Sequence, residues 1–320
     1  MGTQNLQKRM SEADATKDSR RSSKYSSLDM KEKRRSCLER LALRNNLAKE
    51  TLSEFFGTCL MVIFICSSVA TSVLNYGSSA GNLGTAVGCA LGVTMAVYAA
   101  GGVSGGHVNP AVSFAMCMAG KMPWVKLPFY MSGQFLGAIT GSAAVFGVYY
   151  DALMKYSGGV LTVTGPNATA QIFATYPSPY LSTLNGLVDQ IMSTALLLIM
   201  IFAIFDKKNM PAPSGLEPVA IGLLILTLVL ALGSNCGGAM NPARDLGPRI
   251  FTALAGWGFE VFTAGNSFWW IPVIGPMFGA AIGAYIYILC IEAHHKKEPD
   301  ALSQCLDIDH YEKHELANMA

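Results

Sequence analysis

Gly233-Ser234-Asn235-Cys236-Gly237-Gly238-Ala239-Met240-Asn241-Pro242-Ala243-Arg244-Asp245 is the stretch whose reading decides the fold. It is a glycine-rich run, then Asn-Pro-Ala, then an arginine and an aspartate, set between two long apolar segments. A near copy stands earlier, at Gly101-Gly102-Val103-Ser104-Gly105-Gly106-His107-Val108-Asn109-Pro110-Ala111, identical at six of eleven positions and displaced by 132 residues. The chain is therefore an internal duplication. In each copy Asn stands before Pro at the head of a short helical stretch. Asn is a favoured cap, and Pro suits the first helical turn, where its missing N–H is not needed.

Around these turns the composition is that of a polytopic membrane protein. Hydrophobic residues make up 51% and charged residues 14% of 320 positions, and the mean hydropathy is +0.35, too apolar for a soluble chain of this length. The net charge of +2 carries little information, because 13 of the 23 Lys and Arg residues fall within the first 50 positions. Residues 1–46 read as a disordered cytoplasmic tail, and 292–320 as a cytoplasmic C-terminal tail. Between them lies one membrane domain, 47–291, with repeats at about 50–150 and 186–291. Arg20-Arg21-Ser22-Ser23 and Arg34-Arg35-Ser36 have the form of basic-directed phosphorylation sites but read first as solvated charge. No cleavable signal pattern precedes the first span, which must itself direct insertion. The eight cysteines (Cys37, Cys59, Cys66, Cys89, Cys117, Cys236, Cys290 and Cys305) lack the spacing of a disulfide framework or a zinc site and read as packed or free thiols.

A membrane-spanning helix needs about 20 apolar residues. Six stretches meet or approach this, at 50–74, 83–101, 126–150, 186–205, 217–234 and 268–291; two more, 109–119 and 241–254, are too short to cross. The fold class is an all-α membrane protein of six transmembrane helices plus two half-helices that meet at mid-membrane. Three spans per half is an odd number, so the second copy is inserted upside down. Glu54-Phe55-Phe56-Gly57-Thr58 and Gln190-Ile191-Met192-Ser193-Thr194 read as a further repeated pair. Inverted repeats with broken helices place a functional site near the bilayer midplane.

Basic residues set the orientation. Arg44, Lys49, Lys121, Lys126, Lys207, Lys208, Lys296 and Lys297 fall on one side and only Lys155 on the other, which puts both termini in the cytoplasm. The 151–185 connection is then extracellular and carries Asn167-Ala168-Thr169, an N-glycosylation acceptor triplet.

Irregular backbone at membrane depth is tolerated where protein covers it or water reaches it. The two glycine-rich runs should therefore line a polar path, with a ladder of carbonyl acceptors from Gly105, Gly106, His107, Val108, Gly237, Ala239 and Met240. Two half-helices entering from opposite faces bring their N-termini together, each with about half a positive charge. Asn109 and Asn241 can present amide donors there to a passing oxygen, whereas a cation is repelled. Arg244, costly at a lipid-facing helix centre, must face a cavity or a partner, and reads as a guard of the path. Glu54 and Gln190 read as supports for the unwound loops, and Asp245 as orienting a loop. His107 reads as lending its carbonyl rather than sensing pH. The glycines Gly57, Gly88, Gly92, Gly137, Gly141, Gly222 and Gly279 read as close helix packing.

The two Asn-Pro-Ala turns, with Arg244 directly after the second, resemble the aquaporin or major intrinsic protein family over about residues 50–291. The string Asn241-Pro242-Ala243-Arg244-Asp245-Leu246-Gly247-Pro248-Arg249, with Phe173-Ala174-Thr175-Tyr176-Pro177 and Gly256-Trp257-Gly258-Phe259-Glu260, is similar to the aquaglyceroporin branch and its broad-solute members. The resemblance implies a homotetramer in the lipid bilayer of the plasma membrane, with one pore per subunit and no cofactor, metal, nucleic-acid partner or enzymatic activity. It implies a constriction at Cys89, Val229, Gly238 and Arg244. Where water-selective members have a histidine and glycerol channels an aromatic, this chain has Cys89, Val229 and Gly238. That predicts a wide constriction unless an outer-loop aromatic fills the space at Gly238. The leading expectation is passive passage of water, glycerol, urea and similar neutral solutes, without protons or ions. A water-selective channel, a coupled secondary transporter and a junctional membrane protein remain the alternatives.

Overall fold

The computed structural model describes residues 42–75 and 81–295. The basic stretches at 20–23 and 34–36, Cys37, Cys305 and the charged runs beyond 295 lie outside the described residues, and the main compact unit begins at Glu50. Described secondary structure is helical throughout. In chain order the helices are α1 (Asn46–Leu74), α2 (Gly81–Ser104), the short α3 (Pro110–Met118), α4 (Leu127–Ser157), α5 (Thr183–Phe205), α6 (Glu217–Leu232), the short α7 (Pro242–Thr252), α8 (Glu260–Ser267) and α9 (Ile271–Cys290). Among the described residues, five helical stretches are long and apolar enough to cross a membrane; α6 is apolar but has 16 residues. At 1.5 Å per residue it is about 24 Å long, below the ~30 Å of a bilayer core. The expected span to 234 stops early because the chain must unwind into the second glycine-rich run, where Gly237 and Gly238 take positive φ.

The duplication is visible in how the long helices pack. Gly133, Gly137 and Gly141 lie on one face of α4 against α1, and Gly275, Gly279 and Gly283 on one face of α9 against α5. A Cβ at Gly137 would stand 2.2 Å from the Phe55 carbonyl oxygen, and one at Gly279 2.3 Å from that of Ile191. Any side chain there would force the helices apart, so the glycines at four-residue spacing set the close approach. Sequence reading found Gly137, Gly141 and Gly279 of this set and missed the other three. α3 packs on α9 and α4, and α7 on α4. The short helices are thereby enclosed by long ones, with their N-termini turned to each other.

Candidate functional site

Each short helix starts as its sequence demands. Asn109 is extended at φ −156° and its Oδ1 accepts from the Ala111 N–H at 2.9 Å, while Asn241 at φ −154° accepts from the Ala243 and Arg244 N–H groups at 3.0 and 3.2 Å. Pro110 and Pro242 occupy the first turn, and Ala111 and Ala243 are fully buried behind it. Just before each cap stands a residue in the left-handed region, Val108 at φ +44° and Met240 at φ +47°. This is unfavourable for a branched side chain such as valine.

Both strained residues are held by their own backbone groups. The Val108 N–H donates to Glu54 Oε2 at 2.7 Å and its carbonyl accepts from Asn241 Nδ2 at 2.8 Å. The Met240 N–H donates to Gln190 Oε1 at 3.0 Å and its carbonyl accepts from Asn109 Nδ2 at 2.9 Å. The same arrangement thus occurs twice, each half supplying the amide that fixes the other half's loop. One donor on each Asn, and one acceptor position on Val108 and Met240, are committed to this crossing. Each amide retains a second N–H and each carbonyl a second lone pair.

Glu54 is 0% exposed and carries more of the frame than Gln190. Its Oε1 accepts from Ser104 Oγ (2.6 Å) and the His107 N–H (2.9 Å), and its Oε2 from the Val108 N–H and from Gln134 Nε2 (2.7 Å). Four donors saturate the carboxylate. Gln134 also donates to Ser113 Oγ, which lies 3.1 Å from His107 Nδ1, so the His107 ring is fixed beside Tyr130. On the other side Gln190 Nε2 reaches Cys236 Sγ at 3.1 Å, and Asp189 accepts from Asn235 Nδ2 at 2.9 Å and from Cys236 at 3.1 Å. Sequence reading did not find Gln134, Ser113 or Asp189; nothing in local spacing distinguishes them.

A cavity of about 520 Å³ passes these turns. Its wall includes Gly105, Gly106, His107, Val108 and Asn109 from the first run, and Gly237, Gly238, Ala239, Met240 and Asn241 from the second. Cys89, Val229 and Arg244 are on it as well; Glu54, Gln190, Asp245 and Cys236 lie behind it. The remaining wall is largely aliphatic, with Val93, Val97, Val112, Leu197, Ile201 and Ile225 among its members. Among the described residues, Arg244 is the one Lys, Arg, Asp or Glu on the wall. Its Nη1 donates to the Phe173 carbonyl at 3.1 Å. The atoms nearest a Cβ placed at Gly238 are Met240 Cε, Gly233 Cα and Val229 Cγ2, at 3.6 to 4.0 Å, none of them from an aromatic side chain.

Asp245 faces away from the cavity. Its Oδ2 accepts from the Thr175 N–H at 2.7 Å and Thr175 Oγ1 at 2.5 Å, and its Oδ1 pairs with Arg249 at 2.9 Å; both charged side chains are fully buried. Arg249 further donates to the carbonyls of Val261 (2.7 Å) and Thr175, with its guanidinium 4.6 Å from the Tyr176 ring centre. Burial pushes the Tyr176 phenol up; Arg249 opposes this, while Asp245 and Glu260 add to it, and the ring stays neutral. In the same connection Asn167 is exposed, whereas Thr169 is buried and accepts from Trp257 Nε1 at 3.1 Å. Beyond the far end of α5, Asp206 accepts from Tyr287 (2.8 Å), the Lys208 N–H (3.0 Å) and His295 (2.5 Å). Burial alone would raise its carboxyl; these hydrogen bonds, led by His295, outweigh it and hold the group below its ordinary value.

Comparison with known proteins places this geometry. The family described as Major intrinsic protein matches residues 42–287. The chain is 58% identical to human Aquaporin-9 over 287 residues, 89% of this chain and 97% of that one. It is 48% identical to human Aquaporin-10 over 271 residues, 84% of this chain and 90% of that one. Among solved structures, the aquaglyceroporin from Plasmodium falciparum superimposes with a TM-score of 0.69 at 26% identity, covering 76% of this chain and 97% of that chain.

Proposed function

Because the chain belongs to the major intrinsic protein family, we infer from its cavity that it is a passive, multi-pass membrane channel for water, glycerol and other small neutral solutes. It is a channel and not an enzyme. The observation that carries the reading is the mixed wall: both glycine-rich runs and both Asn residues share one cavity with many aliphatic side chains. A polyol carries both hydroxyl and C–H surface, and such a wall offers partners for each. Water and urea need only the polar groups.

Charge selectivity follows from what the wall carries. Two helix N-termini and Arg244 supply positive potential at the turns, with no carboxylate among the described lining residues to offset it. Cations are repelled. The same absence argues against a coupled transporter, which needs a site for the driving ion. Glu54 is sealed behind the wall by four donors.

Finer assignments are part of the proposal. Cys89, Val229, Gly238 and Arg244 form the constriction, which is wide because none of them is aromatic, and urea passes with glycerol. Glu54, Gln190 and Asp245 are supports. Both termini face the cytoplasm, the 158–182 connection is extracellular with Asn167 as a glycan acceptor, and the channel works as a homotetramer in the plasma membrane. The chain in liposomes should accelerate swelling in glycerol and urea gradients without current. Absence of both fluxes in correctly inserted protein would overturn the reading, and an unchanged, current-free Arg244→Ala variant would remove Arg244 from the charge barrier.

A further inference from the structure

The wall segment Phe173–Tyr176 is neither helix nor strand, yet both its ends are fixed. At one end the Phe173 ring is fully buried against Phe251 and Trp257, and its carbonyl receives Arg244 Nη1. At the other, the Asp245–Arg249 pair takes every polar group of Thr175: the N–H and hydroxyl go to Asp245, and the carbonyl to Arg249. The Arg249 guanidinium then lies over the Tyr176 ring. Ala174, Thr175 and Tyr176 line the cavity, and a Cβ at Gly237 would stand 3.1 Å from Thr175 Cγ2. The segment is thus in close contact with the glycine run that supplies Gly238.

We infer that Arg249, acting with Asp245, is a positioning residue for solute size: it clamps Thr175 and Tyr176 at the depth that fixes the width of the channel beside Arg244. Neither residue touches solute. The clamp matters in this chain because Cys89, Val229 and Gly238 offer no ring, whereas Tyr176, held under Arg249, brings one to the cavity wall. Lysine at 249 would keep the charge opposite Asp245. It would lose the planar fork that reaches Thr175 and Val261 together, and the flat face that meets Tyr176. The wall would then yield to bulkier solutes.

The inference rests on the reading of Arg244 and its neighbours as the constriction, and the experiment separates the two. Full-length protein in liposomes is assayed for xylitol and glycerol permeability. Arg249→Lys is expected to raise the xylitol-to-glycerol ratio about threefold, equivalent to about 0.6 kcal/mol in relative barrier height, without current. Tyr176→Ala, which leaves the ion pair intact, should raise the ratio in the same direction and serves if Arg249→Lys does not reach the bilayer. A purely structural role would lower both permeabilities together, and a ratio unchanged in every inserted variant would overturn the inference. Val229→Phe tests the constriction itself. If it lowers the ratio while the other two leave it unmoved, the clamp alone fails; if it has no effect either, the constriction reading fails as well.

Discussion

Asn109 and Asn241 each complete the other's loop: Asn109 Nδ2 donates to the Met240 carbonyl at 2.9 Å, and Asn241 Nδ2 to the Val108 carbonyl at 2.8 Å. The crossing makes each half of the duplication incomplete alone. Asn241→Asp keeps the cap acceptor but turns a donor at Val108 into a second acceptor, and it sets a negative charge between two helix N-termini. The lost bond and the oxygen–oxygen repulsion at Val108, partly offset by attraction of the new charge to the positive helix ends, should cost about 1–3 kcal/mol, read as a lower thermal midpoint in detergent. Solute flux should fall, and the barrier to cations should weaken. A variant with the parent's midpoint and flux would show that the crossing contributes neither stability nor selectivity.

Glu54 gives a second test. Glu54→Gln puts an NH₂ group among donors that all point inward, so at least one of the four hydrogen bonds in the Ser104, His107, Val108 and Gln134 set must break. Hydrogen bonds to charged groups are worth about 1.5–3 kcal/mol each, so the variant should be markedly less stable. Its remaining flux should stay downhill and indifferent to a proton gradient. Gradient-driven accumulation in the parent that this substitution abolishes would restore the transporter reading.

The parts of this architecture that could be read from sequence are those written in short range. Asn before Pro marks a helix start wherever it stands, and 132-residue self-similarity exposes the duplication without any knowledge of contacts. The left-handed φ of Val108 and Met240 was not legible, because no local rule places a valine or a methionine there; it is held by Glu54 and Gln190, each about 50 residues away. Nor was the Thr175–Asp245–Arg249 clamp, which joins a connection without periodicity to a helix 70 residues later. Arg249 stood in the quoted motif, but only folding shows that it turns away from the cavity and toward Tyr176.

The cysteines separate by position. Cys89 lines the cavity, whereas Cys236 lies behind it, between Gln190 and Asp189. A mercurial should therefore block flux through Cys89, and Cys89→Ser should abolish most of the block while Cys236→Ser leaves it. Swelling assays with and without reagent decide this, and protection by Cys236→Ser alone would reverse the assignment.

Asp206 predicts a pH dependence of stability. Its folded-state pKa lies below the ordinary 3.8, so its stabilising contribution is complete above that value and is lost as pH falls through the folded one. Asp206→Asn should lower the thermal midpoint at neutral pH by loosening Tyr287 and His295. The gap between variant and parent should begin to narrow below about pH 3.8 and close only below the lower folded-state value, where the parent's carboxylate is protonated too. A gap that persists unchanged at the acid end would mean that the carboxylate's charge is not what holds this corner.

Gly238 offers the sharpest test of what sets solute size. Its φ of +58° disfavours any side chain, at a cost of about 1–2 kcal/mol. The space is open, however: a Cβ would meet nothing closer than Met240 Cε at 3.6 Å. Gly238→Tyr should therefore be tolerated and should place a ring across the part of the cavity lined by Val229 and Arg244. Glycerol and urea permeability should fall about tenfold or more, the effect of a barrier about 1.4 kcal/mol higher, while water, being smaller, falls much less. Stopped-flow light scattering with each solute reads the three rates separately. A uniform fall in all three would point to damage at the left-handed turn, whereas unchanged glycerol and urea rates would move the narrow point away from Gly238.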